Sequence, residues 1–190
     1  MRNLPRLVLS YKVEVVTAAE AYELTTQGGA TDFARLIKAC ESFGPYCLIG
    51  GLAVNCYVEP VYTLDADIVV ISSSFPKLAT HLQENGFKTD AYPHSMNVQA
   101  PGSDLRIQFT TDERYQDFLG RSVESEVLGI RVRIASLRDV TQGKLWAYSD
   151  PQRRLSKRKK DELDLIRLAE AHPELKALYP SDLKDQIDRG

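Results

Sequence analysis

Two aspartates, Asp65 and Asp67, stand two positions apart at the head of an apolar run, Ile68 to Ile71. In a strand, residues i and i+2 project to the same face. Two like charges held a few ångströms apart repel unless a cation lies between them. Aspartate is also depleted in strands, so its double use next to apolar neighbours needs a reason. Upstream, a second apolar run, Tyr46 to Ile49, ends in Gly50-Gly51. A bare glycine backbone can approach a phosphate closely, and N–H groups at a helix start attract anions. The pattern reads as a Mg²⁺ site beside a phosphate-facing turn. The plain alternatives are a tight strand-to-helix turn and solvated charges at a strand end.

The elements needed to hold these groups are legible around them. From Thr31, the spacing Phe33, Leu36, Ile37, Cys40, Phe43 predicts a helix capped by Thr31 or Asp32 and stopped by Gly44-Pro45. Tyr46 to Ile49 and Asp65 to Ile71 read as core strands, with a short helix over Leu52 to Tyr57 between them. Phe75 to Glu84 reads as a helix ending at Asn85-Gly86. Met96 to Ala100 and Leu105 to Thr110 read as strands joined through Pro101-Gly102, and Ile130 to Ala135 as another. Ser136 caps a helix to about Tyr148, and Ser156 to Ala171 forms a last amphipathic helix before Pro173. Lys12 to Thr17 alternates enough for a short strand, and Ala18 to Leu24 suits a helix. The class is α+β: a mixed sheet flanked by helices with a helical C-terminal part. The expected organisation is an N-terminal extension over 1–30, a core over 31–135 and a helical region over 136–190.

The stretch from Cys47 to Val70 resembles the nucleotidyltransferase superfamily typified by DNA polymerase beta, in which an apolar strand, a glycine pair and a helix precede Asp-x-Asp. Gly50 and Gly51 match the glycine pair, and Asp65 and Asp67 the metal carboxylates. Thr63 matches a small polar residue of the AbiEii-like toxin branch. A downstream block resembles that branch's helical tail, with Lys144, Arg158, Asp161 and Asp164 at the matching positions. The resemblance implies a transferase that moves a nucleoside monophosphate from an NTP, using two Mg²⁺ ions, to an RNA, protein or small-molecule acceptor. It also raises the role of a toxin with an antitoxin partner. Lys144 would meet the triphosphate, with a snorkelling surface lysine as the plain alternative. Thr63 and Asp164 would join the nucleotide site. Thr63 serves equally well as a cap.

One family position departs. Where active members carry a third carboxylate as general base, this chain has Gln108, in Arg106-Ile107-Gln108-Phe109. An amide neither carries charge nor takes a proton. Asp104 is about 13 Å away along a regular strand at ~3.3 Å per residue, too far to substitute. A non-catalytic nucleotide-binding module is therefore the alternative function, and a purely structural interaction protein a third.

The remaining features narrow the class. With 190 residues, the chain suffices for one buried domain or a small domain with a helical appendix. A net charge of −2 gives no global pull toward nucleic acid or membrane. Basic charge is concentrated in Arg153 to Lys160. That run suits a solvated helix face with i,i+4 pairs Lys157–Asp161 and Lys160–Asp164, or a phosphate or RNA contact surface. Cys40, Cys47 and Cys56 sit in apolar contexts without metal spacing, as buried thiols in a reducing cytoplasm would. His81, His94 and His172 share no ligand spacing, which argues against zinc. Trp146 and Tyr148 are expected to pack between the final helices.

Overall fold

The structure is a computed structural model that describes residues 17–190; the strand expected over Lys12 to Thr17 lies almost wholly outside the described residues. The first helices are α1 (Ala18–Thr25) and α2 (Gly29–Phe43), followed by β1 (Tyr46–Ile49), α3 (Gly50–Val54) and β2 (Asp65–Val70). Next come α4 (Phe75–Glu84), β3 (Lys88–Tyr92), β4 (Ser95–Gln99), β5 (Arg106–Thr110) and α5 (Glu113–Arg121). The chain then forms β6 (Val123–Val127), β7 (Ile130–Ile134), α6 (Leu137–Ser149), α7 (Leu155–Ala171) and α8 (Ser181–Arg189). The seven strands make one mixed sheet in the order β3-β4-β5-β2-β1-β7-β6. This is the α+β class expected.

Residue alternation makes the sheet two-sided where the site lies. On β4 and β5 the side chains of Met96, Val98, Ile107 and Phe109 are buried, whereas those of Asn97, Gln99, Arg106 and Gln108 face the other way. The apolar side joins Phe33 and Leu36 of α2 and Leu78 and Leu82 of α4 in one core, all fully buried. Burying a large apolar side chain contributes about 1.5–3 kcal/mol, so this layer fixes the sheet and leaves the polar face free. The interior strand β1 is apolar on both faces, with Cys47 and Leu48 fully buried.

Several elements differ from the sequence expectation. Helix α2 starts two residues earlier than expected, after Gly28 in the left-handed region (φ 100°). Thr31 and Asp32 are therefore not caps: Thr31 bonds Glu23 and Asp32 pairs with Arg35 at 3.0 Å. The helix expected over Leu52 to Tyr57 begins at Gly50 instead and closes as turns, Cys56 N–H to Ala53 and Tyr57 N–H to Val54. Strands β3 and β6 and helices α5 and α8 were not anticipated. Trp146 packs against Phe118 and Tyr115 of α5, not between the last helices.

Candidate functional site

Strand register brings the predicted residues together. Asp67 sits opposite Ile49 on β1 and opposite Gln108 on β5. Gln108 in turn faces Asn97 on β4, and Asn97 faces Asp90 on β3. Asp65 faces Arg106 one pleat along. Both carboxylates, Gln108 and Gly51 therefore open onto one polar cleft of about 550 Å³, which β3 and β4 extend with Lys88, Asp90, Asn97 and Gln99.

Gly50 has a reason beyond the turn. Its φ is 69°, and a Cβ there would overlap the Asp67 carboxylate. Only a residue without a side chain lets β1 turn into α3 this close to Asp67. Gly51 is less constrained, because a Cβ there would meet Thr63 Oγ1 at an ordinary 3.5 Å. Thr63 is buried: its carbonyl accepts the Tyr22 hydroxyl at 2.9 Å, and its Oγ1 accepts Lys160 Nζ at 3.1 Å.

The two aspartates have opposite electrostatic settings. Asp65 pairs with Arg106 at 2.9 Å and accepts a hydrogen bond from Lys157 at 3.0 Å, with Lys160 at 3.9 Å. Burial alone would raise its pKa, but the hydrogen bond and charge of Lys157, with Arg106 and Lys160, hold it below the usual value. Asp67 has no ion-pair partner among the described residues. Burial raises its pKa, the nearby Lys144 opposes this, and Asp65 adds to it.

The structure corrects three expectations about charge. Lysines 157 and 160 do not pair along α7 with Asp161 and Asp164; they reach across to Asp65 and Thr63 on and before β2. Lys144 does not snorkel to the surface. Its ammonium is buried between Asp161 (2.9 Å) and Asp164 (2.6 Å). Burial lowers its pKa, but those two carboxylates outweigh that effect and leave it raised. The basic run is a cleft wall in part, because Arg153, Lys157 and Lys160 all line the cleft. Arg153 also donates to Asp161 at 2.6 Å, and Arg167 to Asp164 at 2.8 Å. Arg158 lies elsewhere, lining a separate pocket with Tyr148 and Asp182. Asp104 is turned away from Gln108 and accepts Gln27 at 2.9 Å.

Sequence reasoning missed the cations that face Asp65, namely Arg106 and the pair Lys157 and Lys160, as site residues. The i, i+3 spacing of the two lysines on one helix face was the available signal.

The fold is nucleotidyltransferase-like. It is similar to the crystal structure of ANT(2'')-Ia in complex with adenylyl-2''-tobramycin, with a TM-score of 0.57 and 13% identity over 84% of this chain and 97% of that one. It is also similar to the lincomycin-bound lincosamide antibiotic adenylyltransferase LnuA, with a TM-score of 0.53 and 13% identity over 77% and 98%. An antigenic nucleotidyltransferase-like protein from Paracoccidioides brasiliensis gives a TM-score of 0.52 and 19% identity over 84% and 92%. No protein-family model and no curated protein matches the sequence. Among the described residues, no helix is long and apolar enough to cross a membrane.

Proposed function

We propose that this chain is a Mg²⁺-dependent nucleotidyltransferase that moves a nucleoside monophosphate from an NTP to a hydroxyl of a polar acceptor. The observation that carries the reading is the convergence of Asp65, Asp67, Gly51 and six basic side chains (Lys88, Arg106, Lys144, Arg153, Lys157, Lys160) on one cleft. Such a cleft suits a polyanion that arrives with a divalent cation.

The donor set fits one ion better than two. Asp65 and Asp67 share the cleft, and among the described residues the Asp67 carboxylate has no ion-pair partner. Mg²⁺ is commonly held by one or two carboxylates, with substrate phosphates and water completing the shell. The third carboxylate a second ion would use is Gln108 here. Bound between Asp65 and Asp67, the ion would offset the charge that builds on the transferring phosphoryl group.

The chain's own residues supply the rest. The turn at Gly50 and Gly51 presents backbone close to the phosphates. Lys157 and Lys160 neutralise the phosphate tail, with Arg153 beside them. The acceptor oxygen attacks the α-phosphorus, forming the new O–P bond. The bond from that phosphorus to the bridging oxygen breaks, and pyrophosphate leaves. Gln108 accepts a hydrogen bond from the attacking hydroxyl and orients it, and the proton passes to water in the open cleft.

The acceptor reading that the similar structures support is a small molecule, because ANT(2'')-Ia is seen in complex with adenylyl-2''-tobramycin and LnuA is a lincosamide antibiotic adenylyltransferase. The same chemistry aimed at RNA or protein would suit a toxin kept in check by an antitoxin. Incubation with radiolabelled NTPs, total cell RNA and protein, and a panel of aminoglycosides and lincosamides separates these. Label transfer lost in Asp67→Asn supports the enzyme. A second reading, a nucleotide-binding module without transfer, is favoured by Gln108 and by the cations already on Asp65. It predicts NTP binding with no transfer to any acceptor.

A further inference from the structure

The polar face of the sheet does not end at Gln108. Register sets Asp67, Gln108, Asn97 and Asp90 side by side across β2, β5, β4 and β3. Neighbouring strands lie ~4.8 Å apart, so Asp90, two strands beyond Gln108, stands about 10 Å from it. All four residues line the cleft. Gln108, Asn97 and Asp90 are exposed to it, and among the described residues their side chains make no hydrogen bond or ion pair. The strands that carry them are fixed from behind, where Met96, Val98, Ile107 and Phe109 enter the core. One pleat along, the sheet face changes character: Arg106 lies opposite Asp65, and Lys88 lies opposite Gln99. The Gln99 amide donates to the Ser103 carbonyl at 3.1 Å.

We propose that the row Gln108, Asn97, Asp90 is the acceptor subsite, and that the acceptor is a polyhydroxylated small molecule with one cationic amine. The amine sits on Asp90 while the reacting hydroxyl lies at Gln108. This rests on the nucleotidyltransferase reading and adds the acceptor's place and chemical class to it. A side-chain amide both donates and accepts, as a hydroxyl does, so Asn97 and Gln108 suit a chain of hydroxyl groups. Asp90 calls for a cation, because among the described residues it has none, and it stands too far from Asp65 and Asp67 to share their ion. Lys88, two residues away on the same strand face, sets the limit: a second ammonium on the ligand would be repelled there. The span from Asp90 to Gln108 places the amine remote from the reacting hydroxyl rather than on the adjacent carbon. The row fits a polynucleotide poorly, since it would bring phosphate toward Asp90 and carries no aromatic ring to stack a base.

The test is equilibrium binding to the full chain, with Mg²⁺ and the α,β-methylene analogue of each NTP present. The probes are trehalose, which has no amine, lincomycin and 6-amino-6-deoxytrehalose, which have one each, and tobramycin, which has several. The singly aminated probes should bind tighter than trehalose and tobramycin. Asp90→Asn should weaken them by roughly 3- to 10-fold and leave trehalose within about twofold, and the difference should shrink at high salt. Asn97→Leu should weaken trehalose and the singly aminated probes alike, by roughly 2- to 10-fold. Both positions are exposed, and affinity for the NTP analogues should stay within about twofold in both variants, which also shows that they fold. Singly aminated probes that bind equally well in both variants overturn the inference, as does tightest binding of tobramycin. A wild-type chain that holds an NTP analogue and none of the four probes overturns it and leaves the nucleotide reading intact. A chain that binds no NTP analogue overturns both.

Discussion

Lys157 Nζ lies 3.0 Å from Asp65 Oδ2, joining the basic helix α7 to the first carboxylate of β2. The lysine does not pair with its helix neighbour Asp161, which is taken by Lys144 and Arg153. The ion pair therefore closes the C-terminal helices over the cleft. It also means that any metal at Asp65 competes with an ammonium group.

Removing that competitor should help a divalent ion. Lys157→Gln is expected to tighten Mn²⁺ binding, measured by calorimetry or by the loss of free-ion paramagnetic signal. The gain should be small, roughly two- to fivefold, since pairs this exposed contribute about 0.2–1 kcal/mol. Asp65→Ala should lose the ion and weaken NTP·Mg²⁺. Unchanged affinity in Asp65→Ala would reject the metal assignment.

The two aspartates should respond oppositely to amidation in the free protein. Asp65 has a lowered pKa, so its contribution is present above the ordinary carboxylate value and lost as pH falls through the folded value. Asp67 has a raised pKa, so its ionised form costs stability, and that cost grows as pH rises through the folded value. At pH 7, Asp65→Asn should lower the melting temperature and Asp67→Asn should raise it. Both differences should shrink on acidification below the ordinary carboxylate range. Melting curves at a series of pH values check the signs.

Lys144 should behave as a structural pin. Lys144→Met removes the cation that the two buried carboxylates share and leaves each with one arginine, Arg153 on Asp161 and Arg167 on Asp164; losing one partner of a buried pair costs about 3–5 kcal/mol. For a chain of this length that is a fall of roughly 10 °C in melting temperature. An unchanged unfolding curve would mean that the ammonium is not what neutralises the two carboxylates.

The glycine pair should divide. Gly50→Ala must place a side chain at φ 69° and against the Asp67 carboxylate, which costs about 1–2 kcal/mol from the backbone alone. Gly51→Ala meets only ordinary contacts and should be nearly neutral for stability. Denaturant midpoints for the two variants give the comparison.

The sequence announced the motif better than its surroundings. Gly50, Asp65 and Asp67 were legible because strand alternation and glycine conformation are local rules. The helices α2, α4, α6 and α7 followed from apolar periodicity. Strand β3, Lys-Thr-Asp-Ala-Tyr, and strand β6, Val-Glu-Ser-Glu-Val, lie at the sheet edges, where ladder bonds form without an apolar face to mark them. Helix α5 buries only Phe118, so it leaves little trace in a hydrophobic pattern. The pairing of Lys157 with Asp65 was not legible for a different reason. Within α7 the nearest acid is four residues away. Lys144 from α6 and Arg153 from the loop before α7 take it, and the arrival of α6 is a tertiary event.

The bond from the Tyr22 hydroxyl to the Thr63 carbonyl ties α1 to the residue two before Asp65. The early helix, distant in sequence from every group that could handle a phosphate, is thus a brace for the acidic strand's entry. A chain shortened to start at residue 31 should keep its sheet yet leave Thr63 and the carboxylates after it slack, an anchor lost at one end with the damage appearing at the other.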